Sequence, residues 1–275
     1  HPFLFAFFRG NLDLVVGILL LNLLNFQDRK SYIPGILVGI AGAIKIIPLA
    51  FCIYFITTRN IRSLVSCLLT FVLLSYLAID YYDLSLANFI NYYAMEYSEY
   101  KELYVIGIYA MSFFSDPWLL ISGFFKFLEH SDELVTHYYS LYNFVQIFWM
   151  ACLTITLFRN RNELNPLFVI LLLGMMVIGF PAPSNDYKIL YMLPGAIYYL
   201  SRMGSNHNAG THILGVSTIL MFLHYSFFYV YGPISSSSLI RPVIYLVAML
   251  SVTFLLISSL LKKNSAIGSM SKKDI

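Results

Sequence analysis

Long uninterrupted runs of apolar residues dominate the chain and predict transmembrane helices. The runs occupy roughly residues 12–26, 32–58, 63–79, 138–158, 165–180, 189–203, 211–230 and 242–261. Several approach the ~20 residues that a helix needs to cross the hydrocarbon of a bilayer. They lack the alternating pattern of outer-membrane barrel strands, so the backbone must satisfy its hydrogen bonds within helices. The pattern predicts an all-α, polytopic transmembrane helical bundle.

The second run is too long for one upright helix, and it carries Lys45 and Pro48 near its middle. A charge and a helix breaker are both costly in the centre of a bilayer. We therefore expect two short helices, about 32–45 and 48–58, separated at the proline. They would form a hairpin with Lys45 at its apex near the outer surface.

Basic residues near the ends of the runs set the orientation, because they concentrate in cytoplasmic loops. The hairpin places Arg29 and Lys30 on the same side as Arg59 and Arg62. Carrying the alternation forward gives about nine crossings, with the N-terminus outside and the C-terminus inside. The cytoplasmic side then holds most of the 17 basic residues, namely Arg29, Lys30, Arg59, Arg62, Arg159, Arg161, Arg202, Lys262, Lys263, Lys272 and Lys273. Of the 14 acidic residues, it holds Asp28, Glu163 and Asp274.

This topology divides the chain into a transmembrane domain, 1–261, and a basic cytoplasmic tail, 262–275. Within the domain, the stretch 80–137 is rich in Tyr, Asp and Glu and lies outside. It contains a possible amphipathic helix across Trp118–Leu128, which would rest in the headgroup region. The stretch is either a loop with interfacial aromatic anchors or a lid over a site at the membrane edge.

Composition supports the membrane assignment and excludes several functions. The chain is 59% hydrophobic and 11% charged, against roughly 25% charged in a soluble domain. A net charge of +3 is too small to indicate a nucleic-acid partner. His130, Asp132, Glu133 and His137 match no metal-ligand motif, and the chain lacks a phosphate loop and a nucleophile elbow. We expect neither a metal nor another cofactor.

Polar clusters interrupt the apolar pattern at the outer ends of runs. Arg9, Asn11 and Asp13 stand at the mouth of the first run. Arg9 and Asp13 are four residues apart, so either they pair on one helix face or Arg9 binds a phosphate that Asp13 helps to orient. Lys45 follows a glycine-rich half-helix and either snorkels to the surface or holds an anion there.

A third cluster, Pro181–Lys188, contains two prolines together with Asn185, Asp186 and Lys188. It is either a tight loop or irregular backbone that lines a cavity, since membrane proteins tolerate such backbone at depth only where it lines one. All three clusters fall on the same side in the charge-derived topology. We predict one outward-facing pocket, lined with cations, at the leaflet boundary.

These motifs resemble glycosyltransferase family 87. Phe8-Arg9-Gly10-Asn11-Leu12-Asp13 is similar to the first motif of that family, and the segment from Pro34 to Pro48, with its glycines and Lys45, is similar to the second. The segment from Ser184 to Pro194 resembles the loop that leads into a Leu-Leu-Pro helix. The resemblance spans about residues 3–200 and implies a GT-C-like fold.

The resemblance implies a mannosyltransferase-like enzyme of the bacterial cytoplasmic membrane. It would transfer a sugar, with inversion, from a polyprenyl-phosphate donor to a glycan or glycolipid acceptor on the outer face. Arg9, Lys45 and Lys188 would stabilise the leaving phosphate, while the residues Asn11, Asp13, Asn185 and Asp186 would orient them or the sugar. The family's general base lies in the first external loop, upstream of His1. We expect that the chain is truncated at its N-terminus and lacks this base, so no catalytic residue is assigned.

Other functions remain open on the residues alone. Polar clusters near broken helices also occur at substrate sites of transporters and lipid flippases, although these usually lie near the midplane of the membrane. A polymerase or ligase of surface polysaccharide would likewise act on polyprenyl-linked glycans from outside. A non-catalytic scaffold would leave the polar clusters without a role.

Overall fold

The computed structural model describes residues 12–23, 31–101, 118, 121, 132–160, 164–179, 186–203, 205, 207–222, 229–231 and 234–271. Its α-helices are α1 (Asp13–Leu21), α2 (Ile33–Ile44), α3 (Cys52–Thr57), α4 (Ile61–Tyr81), α5 (Leu86–Lys101), α6 (Asp132–Asn160), α7 (Pro166–Ile178), α8 (Leu193–Ser201), α9 (Ala209–Phe222) and α10 (Ser236–Ser271). Shorter 3-10 helices span Ile47–Phe51 and Asp186–Met192, and strands β1 (Tyr229–Tyr231) and β2 (Ile234–Ser235) form an antiparallel pair. The described part of the chain is thus overwhelmingly helical.

The centre of the bundle is α7. Asn165 caps its N-terminus by accepting a hydrogen bond from the Leu167 amide at 2.9 Å. Every residue from Leu167 to Ile178 is buried, as expected for a helix that is apolar on all sides. It contacts both 3-10 helices as well as α3, α8 and α9. These five elements therefore assemble around α7, and the second 3-10 helix is fixed against it.

Helices α2 and α4 pack so closely that glycine is required between them. A Cβ atom on Gly35 would collide with the carbonyl oxygen of Ser63, and one on Gly39 would lie 2.6 Å from the Cys67 carbonyl oxygen. Small residues at such interfaces let helix backbones approach in a membrane, where packing replaces the hydrophobic effect between helices. The close fit fixes α2 and hence the position of the residue that follows it, Lys45.

The predicted short-helix hairpin is confirmed. Helix α2 ends at Ile44, and Lys45 is extended with φ −146° and ψ 130°. The chain then turns back through the first 3-10 helix and α3, which brings the start of α4 beside the start of α2. There the Arg62 guanidinium lies 5.6 Å from the centre of the Tyr32 ring, and the Ser63 hydroxyl donates to the Ser31 carbonyl at 2.8 Å. Arg29 and Lys30 lie outside the described residues.

The bundle is a membrane protein fold, as predicted. Within the described residues, three helical segments are long and apolar enough to cross a bilayer, namely Ile61–Tyr81, Thr136–Asn160 and Ile240–Ser258. Their outward-facing side chains are large and apolar: Leu69 is 66% exposed and Phe254 is 70% exposed. Because water would solvate such surfaces poorly, lipid is the medium that covers them. The count of nine crossings stays a prediction.

The structure differs at three places from the helix boundaries that the apolar runs predict. The run 211–230 is not a single helix, because α9 ends at Phe222 and Tyr229 begins β1, where aromatic and β-branched residues favour extended backbone. Helix α5 forms within the stretch 80–137, and α10 continues past residue 261 to Ser271. Most of the predicted helix Trp118–Leu128 lies outside the described residues.

The glycine contact between α2 and α4 is testable by one added methyl group. Gly35→Ala should lower the free energy of unfolding by about 1–3 kcal/mol, because the new Cβ must displace the backbone of α4. Thermal unfolding of the full chain in nanodiscs measures this loss. Ile36→Val, at a position of the same turn that is 39% exposed, is the control and should change stability little; equal effects of the two variants would contradict the packing account.

Candidate functional site

The site is built around the carboxylate of Asp13, the first residue of α1. Asp13 is buried, with 1% of its surface exposed, and lies in the first helical turn, where the helix dipole favours a negative charge. One turn along, a Cβ on Gly17 would lie 3.2 Å from the carbonyl oxygen of Leu190. This close approach brings α1 onto the second 3-10 helix and the carboxylate with it.

Lys45 supplies the cation that neutralises this carboxylate. Its Nζ atom donates to Asp13 Oδ2 at 2.5 Å, and the side chains are 38% and 2% exposed respectively. Lys45 directly follows the last residue of α2, where the helix dipole favours a positive charge. An ammonium has three donors, so the partly exposed head of Lys45 can bind a ligand while Asp13 holds it in place.

Tyr191 holds the other oxygen of the same carboxylate. Its hydroxyl donates to Asp13 Oδ1, and its ring is buried within the core. Both oxygens of Asp13 are therefore engaged by side chains from separate elements, the hairpin apex and the second 3-10 helix. This arrangement suits a positioning role for Asp13 and makes it a poor general base.

Lys188 lies on the same 3-10 helix as Tyr191, three residues earlier. Residues three apart in a 3-10 helix stand above one another, so Lys188 shares the side of the helix that carries Tyr191. It is 6% exposed, which is exceptional for a lysine. The fold thus brings Asp13 and Lys45 into contact, and Lys188 is buried on the side of the 3-10 helix that also carries Tyr191.

The remaining predicted site residues are placed only in part. Asp186 begins the second 3-10 helix, while Arg9, Asn11 and Asn185 lie outside the described residues. The alternative pairing of Arg9 with Asp13 is therefore not tested. Among the described side chains, no three of the types His, Cys, Asp and Glu gather as a metal site would need.

Sequence analysis missed two residues of this region. Tyr191 was overlooked because nothing in an apolar run marks one tyrosine as a carboxylate partner, although its spacing from Lys188 was a usable signal. Arg241, on α10, was not singled out as a candidate, yet it is 2% exposed. One turn along, Tyr245 packs its hydroxyl against Gly179, where α7 ends. A buried arginine in an apolar helix is a functional candidate.

Comparison with known families decides the class of protein. The model of glycosyltransferase family 87 matches residues 1–183, a region that contains Asp13 and Lys45. The chain belongs to glycosyltransferase family 87. This family 87 protein is therefore a membrane glycosyltransferase, and the ion pair of Asp13 and Lys45 lies within the matched region. No curated protein and no solved structure matches the chain.

The ion pair should behave as one energetic unit. Lys45→Met leaves a buried carboxylate without its cation and should destabilise the protein by about 3–5 kcal/mol. Adding Asp13→Asn should recover much of this loss, because the amide no longer carries the charge. Thermal unfolding in nanodiscs of the wild type, both single variants and the double variant measures the coupling. Strictly additive losses would show that the pair does not act as a unit.

Proposed function

We propose that this glycosyltransferase moves a sugar, mannose or another hexose, from a polyprenyl-phosphate donor to a glycan or glycolipid acceptor. The reaction takes place with inversion on the outer face of the bacterial cytoplasmic membrane. The observation that carries the proposal is the partly exposed side chain of Lys45, whose ammonium is held at a helix break by the buried carboxylate of Asp13. Membership of family 87 supports the reaction class.

The charge balance of the reaction explains why a fixed cation is useful. A polyprenyl-phosphate sugar is a phosphodiester with one negative charge, and its phosphate gains a second charge as the bond to the anomeric carbon breaks. A preorganised ammonium stabilises this developing charge more than the starting charge. Lys45 is fixed by Asp13, so little reorganisation is needed when the donor reacts.

Lys188 is the second cation of the proposed phosphate site, on the side of the 3-10 helix that carries Tyr191. Because it is almost fully buried, its charge is poorly screened by water and acts strongly on a phosphate nearby. Arg9, whose motif adjoins Asp13, is the third proposed ligand of the phosphate, and Asn11, Asn185 and Asp186 orient the lysines or the sugar. The acceptor hydroxyl is deprotonated by a group that we do not assign among these residues.

The family assignment also bears on the alternatives. A transporter or flippase would bind the same lipid without breaking the glycosidic bond. A polysaccharide polymerase or ligase would accept lipid-linked oligosaccharides rather than a single sugar on a monophosphate. A panel of donors that differ in the length of the glycan separates these functions.

The decisive assay uses radiolabelled polyprenyl-phosphate-mannose and polyprenyl-phosphate-glucose with the full-length protein in membranes. The wild type should release polyprenyl phosphate and label an acceptor. Lys45→Ala should lower kcat/KM by at least about 10²-fold, the usual effect of losing one group that stabilises transition-state charge. Arg202→Ala is the matched control and should retain activity. It removes an exposed cation at the C-terminal end of α8, the end away from the second 3-10 helix.

A folding defect is separated from a chemical one by the double variant Asp13→Asn/Lys45→Met. This protein should recover stability but stay inactive, because no ammonium is present to hold the phosphate. No transfer by the wild-type protein from either donor, or full activity in the stable double variant, would overturn the proposal.

Lys188 should contribute to phosphate binding in a way that product inhibition measures. Polyprenyl phosphate, the released product, should inhibit the wild-type enzyme. Lys188→Met should raise the inhibitory concentration at least about tenfold, which corresponds to losing one charge-assisted contact. Lys188→Arg, which keeps the charge, should give a smaller change. If Lys188→Met leaves the inhibitory concentration unaltered, this lysine has no part in holding the phosphate.

A further inference from the structure

A second cluster of polar and aromatic side chains lies outside the main core, on the N-terminal half of α6. The ring of Trp118 lies 5.0 Å from that of Tyr139 and 5.5 Å from that of Tyr142, measured between centroids. Trp118 and Tyr139 are both 3% exposed and form a hydrophobic cluster of their own. We name these residues, together with Asn143 and Gln146, the aromatic–amide cluster.

The amides of this cluster present hydrogen-bond acceptors to the same interior. Gln146 is 3% exposed, and its Nε2 atom donates to the Tyr142 hydroxyl at 2.8 Å. Its Oε1 atom and the Oδ1 atom of Asn143 are buried and have no hydrogen-bond partner within the part of the chain that the structure describes. A buried acceptor that forms no hydrogen bond costs about 1–3 kcal/mol of folding free energy, so such atoms indicate a missing donor.

Helix geometry places the cluster at about the same height in the bundle as Tyr245 on α10. The Trp149 indole nitrogen donates to the Thr253 hydroxyl at 3.0 Å, which fixes the relative height of α6 and α10. From there Tyr142 lies about 10 Å toward the start of α6, and Tyr245 lies about as far toward the start of α10. Tyr245 meets the end of α7, from which the chain continues to Lys188. The charge-derived topology places both helix starts outside.

We infer that the aromatic–amide cluster is a binding site for a pyranose sugar. Its two unpartnered acceptors require a ligand that donates hydrogen bonds, which excludes ionised phosphates and carboxylates, and its aromatic rings favour a ligand with an apolar face. A pyranose has both properties: hydroxyl groups around its edge and C–H groups on its face. When a sugar enters between Trp118 and α6, the rings of Trp118 and the two tyrosines lose contacts with one another and gain contacts with the C–H face of the sugar. Its hydroxyls then satisfy Gln146 Oε1 and Asn143 Oδ1.

The sugar has two sources in a glycosyltransferase, the acceptor glycan and the transferred residue of the donor. This part of the inference rests on the proposed function. In the transfer assay, Gln146→Leu raises KM for the acceptor if the site holds the acceptor, and raises KM for the donor if it holds the donor sugar. Sugar binding itself is measured without any lipid donor, so its failure is distinguishable from failure of the proposed function.

The experiment uses the fluorescence of Trp118 in the full chain in nanodiscs. The sequence contains 2 tryptophans, so Trp149→Phe leaves Trp118 as the only tryptophan of the chain, which is excited selectively at wavelengths that tyrosine does not absorb. The probes are methyl α-D-mannopyranoside and methyl β-D-glucopyranoside, with glycerol and tetramethylammonium chloride as comparisons. We expect a saturable change in emission with at least one glycoside and none with glycerol or tetramethylammonium.

Variants on α6 provide the structural control. Gln146→Leu should weaken glycoside binding at least about tenfold through the lost acceptor. Phe144→Leu, at a position on the lipid-facing side of the same turn that is 70% exposed, should leave it unchanged. The inference is overturned if no glycoside gives a saturable response, if tetramethylammonium or glycerol gives the same response, or if Gln146→Leu binds as tightly as the parent.

Discussion

The ion pair between Asp13 and Lys45 is the interaction on which the rest of the site depends. A carboxylate buried to this extent is tolerated only with a cation and further hydrogen bonds, and it obtains them from Lys45 and Tyr191. Through these two contacts, Asp13 on α1 holds the hairpin apex and the second 3-10 helix close together. The same contacts leave Lys45 partly exposed, so that a structural requirement of the bundle also positions an ammonium for a ligand.

Packing at a distance from the site determines where these groups can lie. The glycines of α2 allow this helix to pack closely against α4. This packing determines where α2 ends along the bundle and therefore where Lys45 lies. Gly17 plays the corresponding part for α1 by allowing contact with Leu190, two residues from Lys188. Within residues 1–183, which the model of family 87 matches, small residues thus permit the close approach that brings Asp13 and Lys45 together.

Much of this arrangement could be predicted from the sequence, because the relevant signals were local. A lysine and a proline inside one long apolar run predicted the hairpin, and the positions of the basic residues predicted that its two ends meet. The contact between Asp13 and Lys45 was beyond such reasoning, since it joins residues 32 positions apart, and the spacing of Arg9 and Asp13 also allowed a pair between those two residues. Tyr191 and Arg241 were missed for a related reason: their significance comes from burial, which an apolar pattern does not reveal for single residues. The run 211–230 misled because apolar aromatic residues favour strands as well as membrane helices.

The central claim is that Lys45 holds the phosphate of a lipid-linked sugar while Asp13 holds Lys45. Solid-state NMR of the protein in bilayers, with ¹⁵N-labelled lysine and bound polyprenyl phosphate, measures the distance between the lysine nitrogen and phosphorus directly. The nitrogen–phosphorus signal should include a contribution from Lys45 Nζ within about 4 Å of phosphorus, and this contribution should disappear when Lys45 is replaced by arginine, while that of Lys188 remains. A phosphate that couples to no lysine, or a signal unchanged by the replacement, would contradict the proposed role of Lys45.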